Sequence, residues 1–500
     1  MALPVPDRTY TRQDIWELES SGPWDRYSLA YARAVGEMRS RGPNDPTSWS
    51  FQSAIHGSYS SPPRPGWNMC QHRSWFFLPW HRMYIYCFEL IVRAIVIERG
   101  GPADWALPYW NWTVNRALPP AFRERKLPDG SANPLFTANR APGINDGALA
   151  PRASVDTTQA FRETRFTPRR LLAGGFGGGA QGPAHFGALG GALETLPHNP
   201  IHTFVGGRLT RGGCQEGWMS DPNCAASDPI FWLHHSNVDR LWGRWLNLGG
   251  TRANPTDRRW LDQEFAFFDP RGRSVKGRVS EAGLASQLRY RYSDDPPPVA
   301  RPRTLFGVAA HEPAAPEAEP VGGEAVELTP PKPVELGAGA STVSLELKEE
   351  ARPQVEGLRR GLAAEPSEPA AVYLTLQDVE AERDPGIVYG VYLNKPDADP
   401  PHDEDSPHFV GYLSFFGLGH EHGEEGEHDD AGPSFVFDVT TLIPQLEEAG
   451  GWDPSKAEVT FVPAGLEPPE DEAGPPIKPV EPDDESVPTV RVGRVSIQSE

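Results

Sequence analysis

His234 and His235 stand side by side within an apolar run, Asp228 to Leu248, that reads as a mostly buried helix. Asp228 is placed to cap it and Pro229 to take its first position. An imidazole inside such a helix is costly unless it is paired or bound to metal. A second run, Pro79 to Arg99, is nearly as apolar, with Arg82, Glu89 and Arg93 interrupting, and His81 lies near its start. Irregular stretches rich in Gly and Pro join the helical segments, notably Gly174–Gly191. That combination predicts loops packed around a helical centre.

Fourteen histidines occur in the chain, and their spacing is informative. His72 and His81 flank the segment Arg73–Trp80, with His56 upstream. His198 and His202, four apart, share one face if helical, and His234–His235 complete a second cluster. A lone buried histidine is ordinarily a satisfied core residue, whereas two clusters of three candidates each point to two metal ions. Imidazole suits copper, zinc, iron and nickel. Zinc hydrolase sites usually mix in a carboxylate or leave one ion with an open position. Two all-imidazole sites suit Cu(I), a soft ion that needs no anionic ligand. Ions ~3.5–4 Å apart can share a diatomic ligand, and two Cu(I) ions supply the two electrons that take dioxygen to the level of peroxide. On spacing alone a dicopper centre ranks first and a dizinc centre second.

The 500 residues suffice for two or three domains. No stretch approaches the ~20 apolar residues of a membrane helix. The start, Met1 to Arg8, lacks a basic segment followed by an apolar run, so neither a membrane partner nor a secretory signal is expected. Four cysteines are too few for a disulfide framework, and a cytoplasmic location is the default expectation. Charge is uneven: residues 1–300 carry 34 Lys and Arg against 27 Asp and Glu, whereas 301–500 carry 13 against 41. Opposite signs fit an acidic tail or two parts that attract each other, and they disfavour nucleic acid as a partner. Residues 301–341, dense in Pro, Ala, Glu and Gly, read as a flexible, protease-accessible linker. Seven short alternating runs follow: Val343–Leu347, Val372–Leu376, Ile387–Leu393, Phe409–Phe416, Phe435–Val439, Val459–Val462 and Val490–Ile497. They predict a β-sandwich or barrel, hence an α+β protein with its helices first.

Cys70-Gln71-His72 through Trp80-His81-Arg82 to Phe88-Glu89 resembles the first copper site of the tyrosinase and polyphenol oxidase family. His198-Asn199-Pro200-Ile201-His202, with Asp228 through Arg240, resembles its second. The resemblance implies a four-helix bundle holding two copper ions, one on His56, His72 and His81, the other on His198, His202 and His235. It leaves His234 as a neighbour rather than a ligand. Trp260–Phe265 and Tyr290–Tyr292 look like the segment that closes the catalytic domain of plant polyphenol oxidases. Tyr389–Asn394, Phe435–Val439 and Val490–Val495 look like their C-terminal domain, which shields the copper site and keeps the enzyme latent. The implied division is a catalytic domain over 1–300, the linker over 301–341 and an acidic shielding β-sandwich over 342–500, docked on the first.

By the same resemblance, Glu194 and Asn199 would hold a water that deprotonates a monophenol, and Cys70 would be joined to His72 by a thioether. The plainer readings are a helix-start carboxylate and a free buried thiol. The family's aromatic gate falls on Pro222, a departure that leaves the first copper more open or hands the role to Trp218, in the substrate-selecting loop Gly207–Ser227. Cys214 and Cys224 read equally as a disulfide or free thiols, and Cys87 as core. Asp228, Asp239, Arg82 and Arg240 are expected in buried ion pairs, and Phe231 against ligand imidazoles. Asn111-Trp112-Thr113 has the form of a glycosylation sequon in a setting that predicts burial. Tyr412–Leu418 is expected to send an apolar plug into the site. His420, His422 and His428, in the acidic stretch Gly419–Asp430, read as a solvated loop or as a transient copper-loading site. The implied activity is a latent tyrosinase that takes phenols and o-diphenols to o-quinones with dioxygen. Alternatives are a catechol or o-aminophenol oxidase, a haemocyanin-like oxygen carrier, and a scaffold for another metal.

Overall fold

Helices from the first part of the chain enclose the histidines in the computed structural model. It describes residues 1–168, 172, 174–209, 213–296, 325–351, 371–396, 402–418, 433–452, 456–470 and 476–500. The helices that build the site are α1 (Arg26–Ser40), α2 (Trp49–His56), α3 (Phe77–Glu98), α4 (Asn199–Gly206) and α5 (Ile230–Asn247). Asp25 and Ser28 form a capping box on α1, and the Ser48 hydroxyl caps α2. Helix α3 is buried on nearly every face, as its composition requires. It packs on α5 through Phe88 and Trp232, whose rings stack at 3.5 Å, and on α1 through Tyr31, edge-on to Phe88. With α4 alongside, these helices make the expected helical core.

Charges inside that core are matched. Asp239 on α5 accepts from Arg82 at 2.5 Å and from Arg12 at 3.1 Å, and the Tyr290 and Tyr292 hydroxyls donate to it at 2.6 and 2.5 Å. Arg12 also holds Glu89 at 2.7 Å, and Glu89 pairs with Arg93. Asp228 takes both prongs of Arg140, at 2.7 Å each, while Arg240 pairs with Asp294. All four residues expected in ion pairs are found in them: Arg82 and Asp239 meet each other, and Asp228 and Arg240 take partners from elsewhere. The other partners come from loops that carry no sequence signal.

The last part of the chain is two antiparallel sheets. Their strands are β1 (Val326–Glu327), β2 (Lys332–Leu336), β3 (Ser341–Leu345), β4 (Val372–Glu380), β5 (Val388–Leu393), β6 (Phe409–Ser414), β7 (Phe435–Asp438), β8 (Ala457–Ala464) and β9 (Val490–Ser499). One sheet runs β6-β5-β8-β3, the other β7-β4-β9-β1, with β2 also on β9. Leu374 and Leu376 of β4, Val492 and Val495 of β9, Val391 and Leu393 of β5, and Val459 and Phe461 of β8 share one hydrophobic cluster. The two sheets therefore face each other as a sandwich, and all seven expected strands are present. Two more, β1 and β2, lie in the segment read as linker, where flanking prolines mask short alternations such as Val334-Glu335-Leu336. Residues 297–324 of that region, and the histidines of Gly419–Asp430, lie outside the described residues.

The sandwich sits against the helical part with complementary charge. Arg116 pairs with Glu467 at 2.6 Å and Arg208 with Asp484, the base coming each time from the first part and the acid from the last. Leu149 and Glu467 exchange backbone hydrogen bonds at 2.9 and 2.8 Å. The Glu404 carboxylate accepts from the backbone N–H groups of Arg152 and Ala153, and the Thr203 and Ser414 hydroxyls lie 2.8 Å apart. Among the described residues no helix is long and apolar enough to cross a membrane.

Candidate metal centre

Each cluster converges. His56 ends α2, His72 follows on a loop bridged to Phe186, and His81 opens α3. Their ring centroids lie 5.1 to 5.6 Å apart. His198 closes a tight turn, Glu194–His198, that runs into α4, which carries His202, and His235 lies on α5. Those three rings are 4.5 to 5.4 Å apart. Helices α3 and α5 bring the two trios together, with His81 and His235 stacked at 4.4 Å and 8°.

All six side chains are buried. Burial first, and neighbouring imidazoles second, hold His72, His81, His202 and His235 well below the usual histidine range, and burial brings His198 down to about 3. The rings are therefore neutral, as metal binding requires. Among the described residues the buried Nε2 atoms of His72, His81 and His198 have no hydrogen-bond partner, and those of His202 and His235 are 3.3 Å apart. Buried nitrogens without partners are costly. Two soft or borderline cations would resolve that cost, so the donor set fits copper.

The remaining candidates have distinct surroundings. Glu194 is buried, takes the backbone N–H of Arg73 at 2.7 Å on Oε1, and leaves Oε2 without a partner. Burial pushes its carboxyl up to about 8. Asn199 presents Oδ1 to His198 Nδ1 at 2.8 Å. Cys70 is a buried free thiol whose sulfur lies 3.2 Å from Nδ1 of both His72 and His185. Phe231 packs at 4.3 Å on His235 and 4.9 Å on His56. His234 is buried beside the second trio, with Trp112 at its Nδ1. The Asn111 side chain is likewise buried and accepts from Thr113.

From the last part of the chain, Phe416 enters the site. Its ring stacks on His202 at 4.1 Å and meets His72 and His198 edge-on at 5.7 and 5.8 Å. This is the apolar plug expected from Tyr412–Leu418. At the gate position the Pro222 carbonyl takes His56 Nδ1 at 2.8 Å, and the Trp218 indole donates to the Cys214 carbonyl. The aromatic ring lying flat on a first-site imidazole is instead Phe186, 5.0 Å from His72 at 12°. Neither His185 nor Phe186 was legible, because the glycine-rich loop that carries them has no periodicity. Cys214 and Cys224 are joined as a disulfide, and Cys87 is buried and free.

Residues 46–174 and 173–248 match the common central domain of tyrosinase, 254–304 the polyphenol oxidase middle domain, and 329–500 a domain of unknown function (DUF7868). The chain is 32% identical to Tyrosinase HcTyr1 from Hahella sp. (strain CCB-MM4), over 98% of this chain and 99% of that one. It is 27% identical to a chloroplastic polyphenol oxidase of Malus domestica, over 92% and 76% respectively. In fold it is similar to latent apple tyrosinase, with a TM-score of 0.61 at 22% identity, over 100% of this chain and 99% of that one. These relatives correct the cytoplasmic expectation: the polyphenol oxidases of Malus domestica, Prunus armeniaca and Solanum lycopersicum are chloroplastic. The expectation rested on composition, which carries no address, and the Cys214–Cys224 disulfide is a bond that reducing compartments disfavour.

Proposed function

Because the chain belongs to the tyrosinase and polyphenol oxidase family, we propose that it is a latent dicopper enzyme taking both monophenols and o-diphenols to o-quinones. In this reading His56, His72 and His81 hold one copper ion, and His198, His202 and His235 the other. Residues 1–300 are catalytic, the stretch up to β1 connects, and the sandwich from β1 onward shields. The observation that carries it is two buried imidazole trios face to face, closed by stacked His81 and His235. Copper bound there would supply the redox chemistry that reduces dioxygen.

The chain's own side chains do the rest. Helices fix the rings, and backbone carbonyls at Phe77, Met219 and Pro222 orient His81, His202 and His56. Glu194, a stronger base than a surface carboxylate once ionised, takes the proton of a monophenol through a water that it holds with Asn199. The sulfur of Cys70 beside His72 supports a thioether that would fix that ring. Latency follows from Phe416, which lies on His202 as an incoming phenol ring would.

The test uses the copper-loaded chain before and after limited proteolysis ahead of β1, within 301–324, with tyrosine, catechol and o-aminophenol. Quinone formation from tyrosine and catechol, rising after cleavage, is expected. Oxidation of catechol but not tyrosine would leave a catechol oxidase. Reversible dioxygen binding without turnover in the cleaved chain would overturn the enzyme reading in favour of an oxygen carrier.

A further inference from the structure

The second cluster holds four histidines, His198, His202, His234 and His235, where three suffice for the ion. The hydrogen bonds on their Nδ1 atoms separate them. His56, His81 and His202 point Nδ1 at backbone carbonyls of Pro222, Phe77 and Met219, and His198 at the Asn199 side-chain oxygen, each at 2.8 Å. A carbonyl oxygen only accepts, so Nδ1 carries the proton in these rings and Nε2 keeps its lone pair for a metal.

His234 has the opposite environment. The Trp112 indole nitrogen lies 3.2 Å from its Nδ1, and both side chains are fully buried. An indole N–H only donates. His234 Nδ1 must therefore accept, which puts the ring's single proton on Nε2, a buried atom with no hydrogen-bond partner among the described residues. A protonated nitrogen offers a metal no lone pair, and the lone pair on Nδ1 is engaged by Trp112.

We propose that Trp112 is a positioning residue that holds His234 in the Nε2–H tautomer and so excludes it from the second metal, leaving that place to His235. This rests on the two-metal reading of the pocket. It goes beyond that reading in naming what chooses between two adjacent imidazoles on one helix. The indole comes from the loop after α3, more than a hundred residues from the histidine it controls. Trp112→Phe keeps a six-membered aromatic ring and removes the N–H donor with the five-membered part of the indole.

The test is long-range proton–nitrogen NMR on chain labelled with nitrogen-15 histidine, metal-free and then titrated with zinc. The His234 signals are assigned by their loss in His234→Gln. In the wild type, His234 is expected to show its proton on Nε2 in both states, while zinc shifts the ring nitrogens of His198, His202 and His235. In Trp112→Phe the Nε2–H signature is expected to be lost and zinc to shift the His234 nitrogens as well. A wild-type His234 protonated on Nδ1, or one whose nitrogens shift on coordinating zinc, would overturn the proposal whether or not Trp112→Phe folds. An unchanged tautomer in folded Trp112→Phe would overturn it too. Fewer than two zinc ions per wild-type chain would instead count against the two-metal reading, with the tautomer still readable in the metal-free chain.

Discussion

Phe416 is the side chain whose removal has the most direct consequence for access to the site. Its ring covers His202 and touches one imidazole of each trio. Phe416→Ala is expected to raise catechol oxidation by the intact, copper-loaded chain about tenfold, equivalent to about 1.4 kcal/mol of lost obstruction. An unchanged kcat/KM would show that the ring is no barrier. Its neighbour gives an independent route to the same end. Gly417 has φ +86°, and a Cβ there would collide with the Phe186 ring. Gly417→Ala should displace the plug loop and raise activity with Phe416 still in place. The clustering of His198 with His202 and of His234 with His235 was legible because four-residue and adjacent spacings in apolar segments leave few alternatives, whereas His56 and His72 were placed by resemblance alone. The plug was legible only as a stretch, since choosing Phe416 requires knowing that β6 ends over α4, about two hundred residues earlier in the chain. Phe186 and His185 were not legible, because a glycine-rich loop has no period to read.

Helix α3 shows what an apolar sequence pattern hides. Its length and burial follow from composition, but Arg82, Glu89 and Arg93 are tolerable only because Asp239, Arg12 and the Trp105 carbonyl meet them from elsewhere. Burial alone would raise the Asp239 carboxyl, yet Arg82 and Arg12 bring it below the usual carboxylate range. A carboxyl depressed in this way stabilises the fold above its ordinary value near 3.8, and the contribution fades as pH falls through the lower, folded value. Asp239→Asn leaves two buried guanidinium groups without their shared counter-charge and is expected to cost about 3–5 kcal/mol in denaturant unfolding. A loss under about 1 kcal/mol would mean that Glu89 alone neutralises the cluster. In the sandwich the reverse holds. Alternation made seven strands readable, whereas β1 and β2 escaped because they are short and proline and glutamate interrupt their few apolar residues.

Docking of the sandwich on the helical part is governed by carboxyls of two kinds, and they respond to acid in opposite directions. Asp484 faces Arg208 across the seam, and hydrogen bonds from Ser486 first, then Arg208, hold its carboxyl below the usual range, so protonating it loosens the contact. Asp384 does the opposite. It sits in a loop whose Pro385 carbonyl takes the Leu209 N–H and whose Gly386 lies against Gly207, and it is 1% exposed. Its Oδ1 accepts from the Gly386 N–H at 2.7 Å, and its Oδ2 has no partner among the described residues. Burial first, and then the charge of Asp221 on the disulfide-closed loop opposite, push this carboxyl up to about 7 against the Gly386 hydrogen bond. Undocked and in water it would return towards 3.8. A carboxyl raised by docking favours the docked state when protonated. The contribution is complete in acid, is lost as pH rises from about 4 to about 7, and is constant above that. A tenfold change in proton affinity is worth about 1.4 kcal/mol, so the effect is on the order of a few kcal/mol, enough to set how much of the chain is open at neutral pH. Asp384→Asn should therefore deepen latency: residual catechol oxidation by the intact chain at pH 7.5 should fall several-fold, while at pH 4 it should match the wild type. Activity equal to the wild type at both pH values, or a rise at pH 7.5, would mean that Asp384 stays ionised at the seam.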